Sequence, residues 1–406
     1  MNWLPPVPMS AIDASGQTWE VHRAWPDFTP GDYILEVLKP GRPGVQGARL
    51  RDGRFELLLE DDPGLPALRT EARHGEIVSH RPGTRAVIRA EGCFIKIFKP
   101  GDALLPAERC AQTELLLDAG SFSSPTVLRS STDVIVFSAV PGRTLGALGE
   151  DHLTISDESF AGLWEKWSDA WAAQVGSSVG RSALAALPVH SPEVEAADLW
   201  RWVNRWLRHY GDVPEASLQG DALCALALHV THNLLRTPPD PLVWAHGDLH
   251  DKQILAVDEQ SPLGLLDFDD TAQAEAALDL ANLDVHLELH TRRKRMTPAR
   301  FLAAHAQVMA TAEALHVSPD RFRAYSDGAW LRLACSPLPV RSALALAVLV
   351  ERTRHDRRFS DFVPTAITSS GVVERRPAPQ PTAAVGVPAQ SEQAVGRADP
   401  LMGGMT

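Results

Sequence analysis

Two short stretches of this chain carry side chains suited to chemistry. The first is VWAHGDLHDKQIL, residues 243–255, in which an apolar run leads into His246-Gly247-Asp248 and then into polar residues. The second is LGLLDFDD, residues 263–270, in which an apolar strand again delivers carboxylates to its end. Asp248 and Asp267 lie 19 residues apart. Two short strands joined by a tight turn would bring both to one mouth.

Carboxylates gathered in this way suit phosphoryl transfer. That reaction asks for an oriented acceptor hydroxyl, hard oxygen ligands for Mg²⁺, and a cation on the remaining phosphate oxygens. Asp248 suits the first task and Asp267 the second. Gln253 offers a neutral amide oxygen to the same metal. Lys96, inside the apolar run CFIKIF (93–98), suits the third. An ammonium in so apolar a strand calls for an anionic partner, because burying it unpaired is costly. The plainer reading of Lys96 is an edge-strand lysine reaching solvent.

The elements that must position these groups fall in a clear order. ARLRDGRFELLL (48–59) reads as a hairpin turning at Asp52-Gly53, with Phe55, Leu57 and Leu59 on one face. RAVIRA (85–90) and CFIKIF are β-branched and aromatic runs separated by Glu91-Gly92, a second hairpin. Residues 104–119 read as a helix ending near Gly120, and TVL and DVIVFSAV as two further strands stopped by Pro141-Gly142. From about residue 157 the period becomes helical. Phe160, Leu163, Trp164, Trp167, Trp171 and Val175 share one face, as do Leu199, Trp200, Val203, Trp206, Leu207 and Tyr210. Such tryptophans are read as core, with a sugar-stacking platform as the alternative. Helices resume from about Glu275 to Arg358. Beyond Pro364 the composition turns to Pro, Ala, Gly, Ser and Gln, and residues 365–406 are expected to be disordered. Strands first and helices later give an α+β, two-lobed plan.

Bulk properties narrow the function classes. The chain has 406 residues, 44% of them hydrophobic and 22% charged, which is a globular balance with a sizeable core. A net charge of −12 argues against nucleic acid and against an anionic membrane surface. Cys93, Cys110, Cys224 and Cys335 are scattered, so free thiols in a reducing compartment are expected, and Cys335 reads as a buried thiol. Neither a signal peptide nor a membrane span is read in the sequence, which points to the cytoplasm.

The run HGDLHDKQIL…LLDFDD…ALDLAN resembles the catalytic segment of the aminoglycoside phosphotransferase and choline kinase-like superfamily. HRPGTRAVIRAEGCFIKIFKPG (80–101) is similar to the small-lobe strands of its actinobacterial members, and VIVFSAVPGRTL to their hinge. The likeness runs from about residue 80 to about 355. It implies a protein-kinase-like bilobal fold, with a small lobe and hinge at 80–140 and a helical lobe at 141–364, while residues 1–79, read as a β-rich region, lie outside it. It also implies a kinase that uses Mg²⁺ and ATP or GTP to phosphorylate a hydroxyl of a small molecule such as an aminoglycoside or a sugar.

Residue by residue, the resemblance makes Asp248 the catalytic base, Asp267 a Mg²⁺ ligand and Lys96 a contact to the nucleotide phosphates. His246 would stabilise the loop, and Asp279 would brace it from the following helix. The backbone from Ser138 to Val140 would meet adenine. Glu108 or Glu114 would pair with Lys96. Gln253 departs from the family's asparagine and matches maltokinase-like members. No GxGxxG or GxxxxGK[ST] loop is present. Arg81-Pro82-Gly83-Thr84 reads as a plain turn, with a phosphate cover as its alternative.

Three rival readings remain. Asp267-Phe268-Asp269-Asp270-Thr271 fits the opening motif of haloacid-dehalogenase phosphatases, with Asp267 as nucleophile and Asp269 as acid/base. That reading needs later strand-borne lysine and acidic residues, where the sequence reads helical. Asp248-Leu249-His250 fits the DxH of metallophosphoesterases, whose downstream GNH motif is missing. A pseudokinase would bind nucleotide without transfer. Elsewhere, His286 and His290 flank Glu288 on a helix. A metal site is conceivable there, but solvated or capping histidines are the plainer expectation. Arg292, Arg293, Lys294 and Arg295 read as a solvated helix end.

Overall fold

The structure, a computed structural model, describes residues 5–58, 62–117, 122–177 and 181–354. It opens with a five-stranded antiparallel sheet of β1 (Ser10–Ile12), β2 (Thr18–Pro26), β3 (Tyr33–Leu38), β4 (Val45–Arg51) and β5 (Arg54–Leu58), in that order. The β4–β5 hairpin turns at Asp52-Gly53, whose φ values of 47° and 72° are those of a tight primed turn. Leu59, expected beside Leu57, lies outside the described residues.

A short helix α1 (Leu68–Glu71) leads to the second sheet. It is built from β6 (Gly75–Arg81), β7 (Arg85–Ala90) and β8 (Cys93–Phe98). The chain then forms α2 (Leu104–Leu117) and the two-residue strand β9 (Phe122–Ser123), and returns as β10 (Val127–Ser130) and β11 (Val134–Ser138). The strand order is β10-β11-β8-β7-β6, antiparallel throughout. The boundary expected at residue 79 therefore falls inside a strand, because Gly75–Arg81 pairs along its length with β7. Arg81 to Thr84 is a plain turn, closed by a Thr84 N–H to Arg81 O bond of 3.0 Å. Asp62 already accepts the Gly83 N–H at 2.6 Å.

The rest is mainly helical. The chain passes through β12 (Arg143–Thr144), α3 (Leu145–Glu150), α4 (Asp157–Gly176), α5 (Arg181–Ala186), α6 (Pro192–Tyr210) and α7 (Ser217–Arg236). Four short strands follow: β13 (Leu242–Ala245), β14 (Ile254–Ala256), β15 (Leu263–Leu265) and β16 (Ala272–Glu275). The described chain closes with α8 (Ala276–Arg292), α9 (Pro298–Ala314), α10 (Pro319–Ala334) and α11 (Pro339–Arg354). Ser156, Ser191, Thr297 and Ser318 cap α4, α6, α9 and α10 through their hydroxyls, the last three with proline at the first helical position. The tail expected to be disordered lies outside the described residues. No helix among the described residues is long and apolar enough to cross a membrane.

Trp164, Trp167 and Trp171 are fully buried, stacked or edge-on along α4, and pack with Trp244 of β13. They are core and offer no sugar platform. A second core cluster joins Trp19, Val21, Tyr33, Leu35 and Val37 of the first sheet to Val203, Trp206 and Tyr210 of α6 and to Leu346 and Leu349 of α11. Tyr33 and Tyr210 share a hydroxyl hydrogen bond of 3.0 Å. On the other side, fully buried Glu36 of β3 accepts the His80 N–H at 2.8 Å and the Ser79 hydroxyl at 3.1 Å. The first sheet thus ties the small lobe to the helical one.

Candidate active site

The loop after β13 is held by its own backbone and by α8. Gly247 adopts φ +86°, and a Cβ there would overlap the carbonyl oxygen of Asp270, so only glycine fits. The buried His246 donates from Nε2 to Leu266 O at 2.7 Å and accepts the Asp248 N–H at Nδ1 (3.4 Å), which fixes a single neutral tautomer. The amides of His246 and Gly247 donate to the two oxygens of Asp279 at 2.6 and 2.9 Å. Asn282, one turn further along α8, donates to Leu249 O at 3.0 Å.

The two key aspartates do not sit on strands paired with each other. The strands joined by a tight turn are β14 and β15, whereas Asp248 follows β13, which pairs with β16. Two separate ladders bring residues 246–253 and 266–271 together. Thr271 stitches them, accepting from the Trp244 indole at 2.9 Å and donating to Ala245 O at 3.1 Å.

Asp267 stands at φ 66°, ψ 66°, a left-handed conformation that aspartate tolerates better than most residues. Its carboxylate is ion-paired with Lys96 of β8, whose Nζ also lies 3.1 and 3.2 Å from the oxygens of Asp269. Arg85 of β7 approaches Asp269 at 3.7 Å, and Arg109 of α2 donates to the Asp269 carbonyl. Gln253 Nε2 lies 3.5 Å from Asp267 Oδ2. Asp248 is buried, and its Oδ1 has no hydrogen-bond partner among the described residues.

The expected pairing of Lys96 with Glu108 or Glu114 is not what the structure shows. Both glutamates face solvent on α2, where Glu108 accepts from Gln112 at 3.4 Å. The buried ammonium takes the buried carboxylates of the DFDD segment instead. At the hinge, the Ser138 N–H donates to Thr126 O at 2.9 Å and the Ala139 N–H to Gly92 O at 3.0 Å, so two of the three amides offered for adenine are already engaged. Val140 closes on β15, where a Cβ at Gly264 would collide with its methyl.

The carboxyls of this site are shifted in opposite directions. Burial raises the carboxyl of Asp248 well above the usual range, and the charges of Asp270 and Asp267 add to it. Burial, then Asp269 and Asp267, push Asp270 up to about 7. Asp267 goes the other way: burial opposes ionisation, but Lys96 and then Arg85 hold it well below the usual range. The cations that act on these carboxylates are Lys96, Arg85, Arg109 and Arg332.

Sequence reasoning missed Arg85, Arg109, Thr271 and Asn282, and weighed Asp269 only under the phosphatase reading. After β16 only helices follow among the described residues, so the later strand-borne groups of that phosphatase are not there.

A family model described as APH, the phosphotransferase enzyme family, matches residues 80–315, more than half of the 406-residue chain. The chain belongs to this family. Phosphotransferases of this family are protein-kinase-like, and the β-rich first part and helical second part of the chain follow that α+β plan. Among solved structures, the chain is 19% identical to the macrolide 2'-phosphotransferase MphH from Brachybacterium faecium, covering 70% of this chain and 97% of that one with a TM-score of 0.43. It is 19% identical to an aminoglycoside-3'-phosphotransferase of type VIII, covering 64% and 96% with a TM-score of 0.47. It is 16% identical to aminoglycoside 2'-phosphotransferase-IIIa in complex with GDP, covering 70% and 92% with a TM-score of 0.43. A search of curated proteins finds no match.

Proposed function

We propose that this phosphotransferase moves the γ-phosphoryl group of a nucleoside triphosphate, ATP or GTP, to a hydroxyl of a small molecule. The observation that carries the reading is the buried Asp248 carboxylate, whose Oδ1 has no hydrogen-bond partner among the described residues, held on a braced loop beside the Lys96–Asp267 pair. A group that only bound nucleotide would have no need of such a carboxylate.

Asp248 orients the acceptor hydroxyl and takes its proton as the oxygen bonds to the γ-phosphorus and the bond to the leaving diphosphate breaks. Its raised affinity for a proton, caused first by burial, suits a base that must accept one. Lys96 offsets charge on the phosphate oxygens. His246, Asp279 and Asn282 keep the loop from yielding, and Gly247 lets it pass under Asp270. The backbone from Ser138 to Val140 closes the nucleobase end.

The donor set fits Mg²⁺. Asp267 and Gln253 would hold it with carboxylate and amide oxygens, which are the hard ligands that this ion takes. When bound, the ion neutralises charge on the transferring phosphates. We place the small lobe at residues 75–140 and the helical lobe from residue 141 onward.

The test is nucleotide consumption by the purified protein with Mg²⁺ across aminoglycosides, maltose, other sugars and amino alcohols. Acceptor-dependent turnover that gives a phosphorylated product supports the reading. Phosphate release with no dependence on any acceptor speaks against it.

A further inference from the structure

A second group of donor atoms lies on the far side of the catalytic loop. Asp251, three residues beyond Asp248, is fully buried, and neither of its carboxylate oxygens has a hydrogen-bond partner among the described residues. Facing it on α8 are His286 and His290, four residues apart and so on one face of the helix. One donor atom from each of the three residues lies within 4.8 Å of the other two.

His290 Nδ1 is 3.5 Å from Asp251 Oδ2 and 3.6 Å from Glu150 Oε1 at the end of α3, and it too makes no hydrogen bond among the described residues. His286 stacks on His250 of the loop, with ring centroids 5.0 Å apart. These histidines are therefore not the solvated pair expected from sequence. Glu288 between them turns outward to Arg292 at 2.7 Å.

A carboxylate buried without hydrogen bonds needs a compensating charge. Two imidazole nitrogens with one or two carboxylate oxygens form the donor set that borderline divalent metals take, whereas Mg²⁺ prefers oxygen alone. Ligand atoms around a tetrahedral zinc stand roughly 3.4 Å apart, from zinc–ligand distances of about 2.1 Å. The Asp251–His290 pair already has that spacing at 3.5 Å, and a donor atom of His286 lies within 4.8 Å of both. Of the nearby cations, Arg295 is paired with Glu150 at 2.8 Å, and Lys252, next to Asp251 in the chain, acts on Asp251, His286 and His290 alike.

We propose that Asp251, His286 and His290, with Glu150 as a fourth ligand, bind a zinc-class divalent cation. That cation ties the catalytic loop to α8 and α3. The site is separate from the hard-oxygen site at Asp267 and does not depend on the transfer reaction proposed above.

The test is Co²⁺ titration of chelator-treated full-length protein in excess Mg²⁺, read by visible absorption, with Zn²⁺ as competitor. The expected result is one equivalent of Co²⁺ showing intense tetrahedral bands, displaced by Zn²⁺. His286→Ala and Asp251→Asn, checked for folding by circular dichroism, should each weaken binding by more than the roughly tenfold to hundredfold that losing an outer partner costs. Absence of the bands in the wild-type protein, whatever the variants do, would overturn the proposal. Binding that survives both substitutions would overturn it as well.

Discussion

Asp248, Asp267 and Lys96 were legible as single residues because their neighbours in sequence announce them. An apolar run ending in HGD or in DFDD has few other uses. Their partners were not legible, since Arg85, Arg109 and Asp269 meet only when β7, α2 and the segment after β15 converge. Glu108 was the natural guess for Lys96, yet a solvent-facing helix position cannot compete with a carboxylate already buried beside the ammonium. Gly247→Ala is predicted to disrupt the loop, because the new methyl must displace the Asp270 carbonyl. A loss of stability of about 2 kcal/mol or more is expected from strain and overpacking, read as a lower urea midpoint together with reduced turnover. Glu195 gives a prediction in pH. Burial would raise its carboxyl, but Arg332 and the His190 hydrogen bond at 2.9 Å outweigh burial and hold it at about 2, against an ordinary 4.5. A carboxyl depressed by folding contributes stability above its ordinary value and loses it as pH falls from 4.5 through about 2. Glu195→Gln should therefore be less stable than wild type near neutrality, by about 3 kcal/mol, and the gap should close at the acid end. A gap that is flat with pH in denaturant titrations would remove the ion pair as its cause.

Among elements, the amphipathic helices were the most legible. The tryptophan spacing of α4 is that of one buried face, and the structure seals that face against Trp244. Trp167→Ala is predicted to cost about 3–5 kcal/mol, measured by chemical denaturation, while Trp167→Phe should cost less because its indole N–H has no partner to lose. Strand pairing was less legible. Strands of three or four residues carry too little alternation to announce a register, so the reading put Asp248 and Asp267 on one hairpin where the chain uses two ladders. Helix α8 shows how one element serves two ends of a loop. Its first turns present Asp279 and Asn282 to the loop backbone, and its last turns present His286 and His290 to Asp251. Of the first pair, Asp279 was found from the motif and Asn282 was missed. The second was passed over, because two histidines on a helix look alike in sequence whether they face water or a buried carboxylate.

At the scale of the whole molecule, the two-lobed plan followed from the order of strands and helices, but the destination of the first sheet did not. The Asp52-Gly53 turn marked a hairpin without saying what it would pack on. Its inner face is buried with α6 and α11, and Glu36 reaches the small lobe. A chain begun at residue 62 is predicted to expose Trp206, Tyr210 and Leu346, and to show a lower midpoint and more aggregation than the full chain by denaturation and light scattering. A truncated chain as stable as the parent would mean that the sheet is a passive appendage. The proposed transfer rests on Asp248, and the most direct measurement is a comparison of wild type with Asp248→Asn in acceptor-dependent nucleotide turnover and in nucleotide affinity. The account predicts a loss of roughly 10²–10⁴-fold in turnover, with affinity for Mg²⁺-nucleotide retained. Turnover that survives the substitution intact would contradict it.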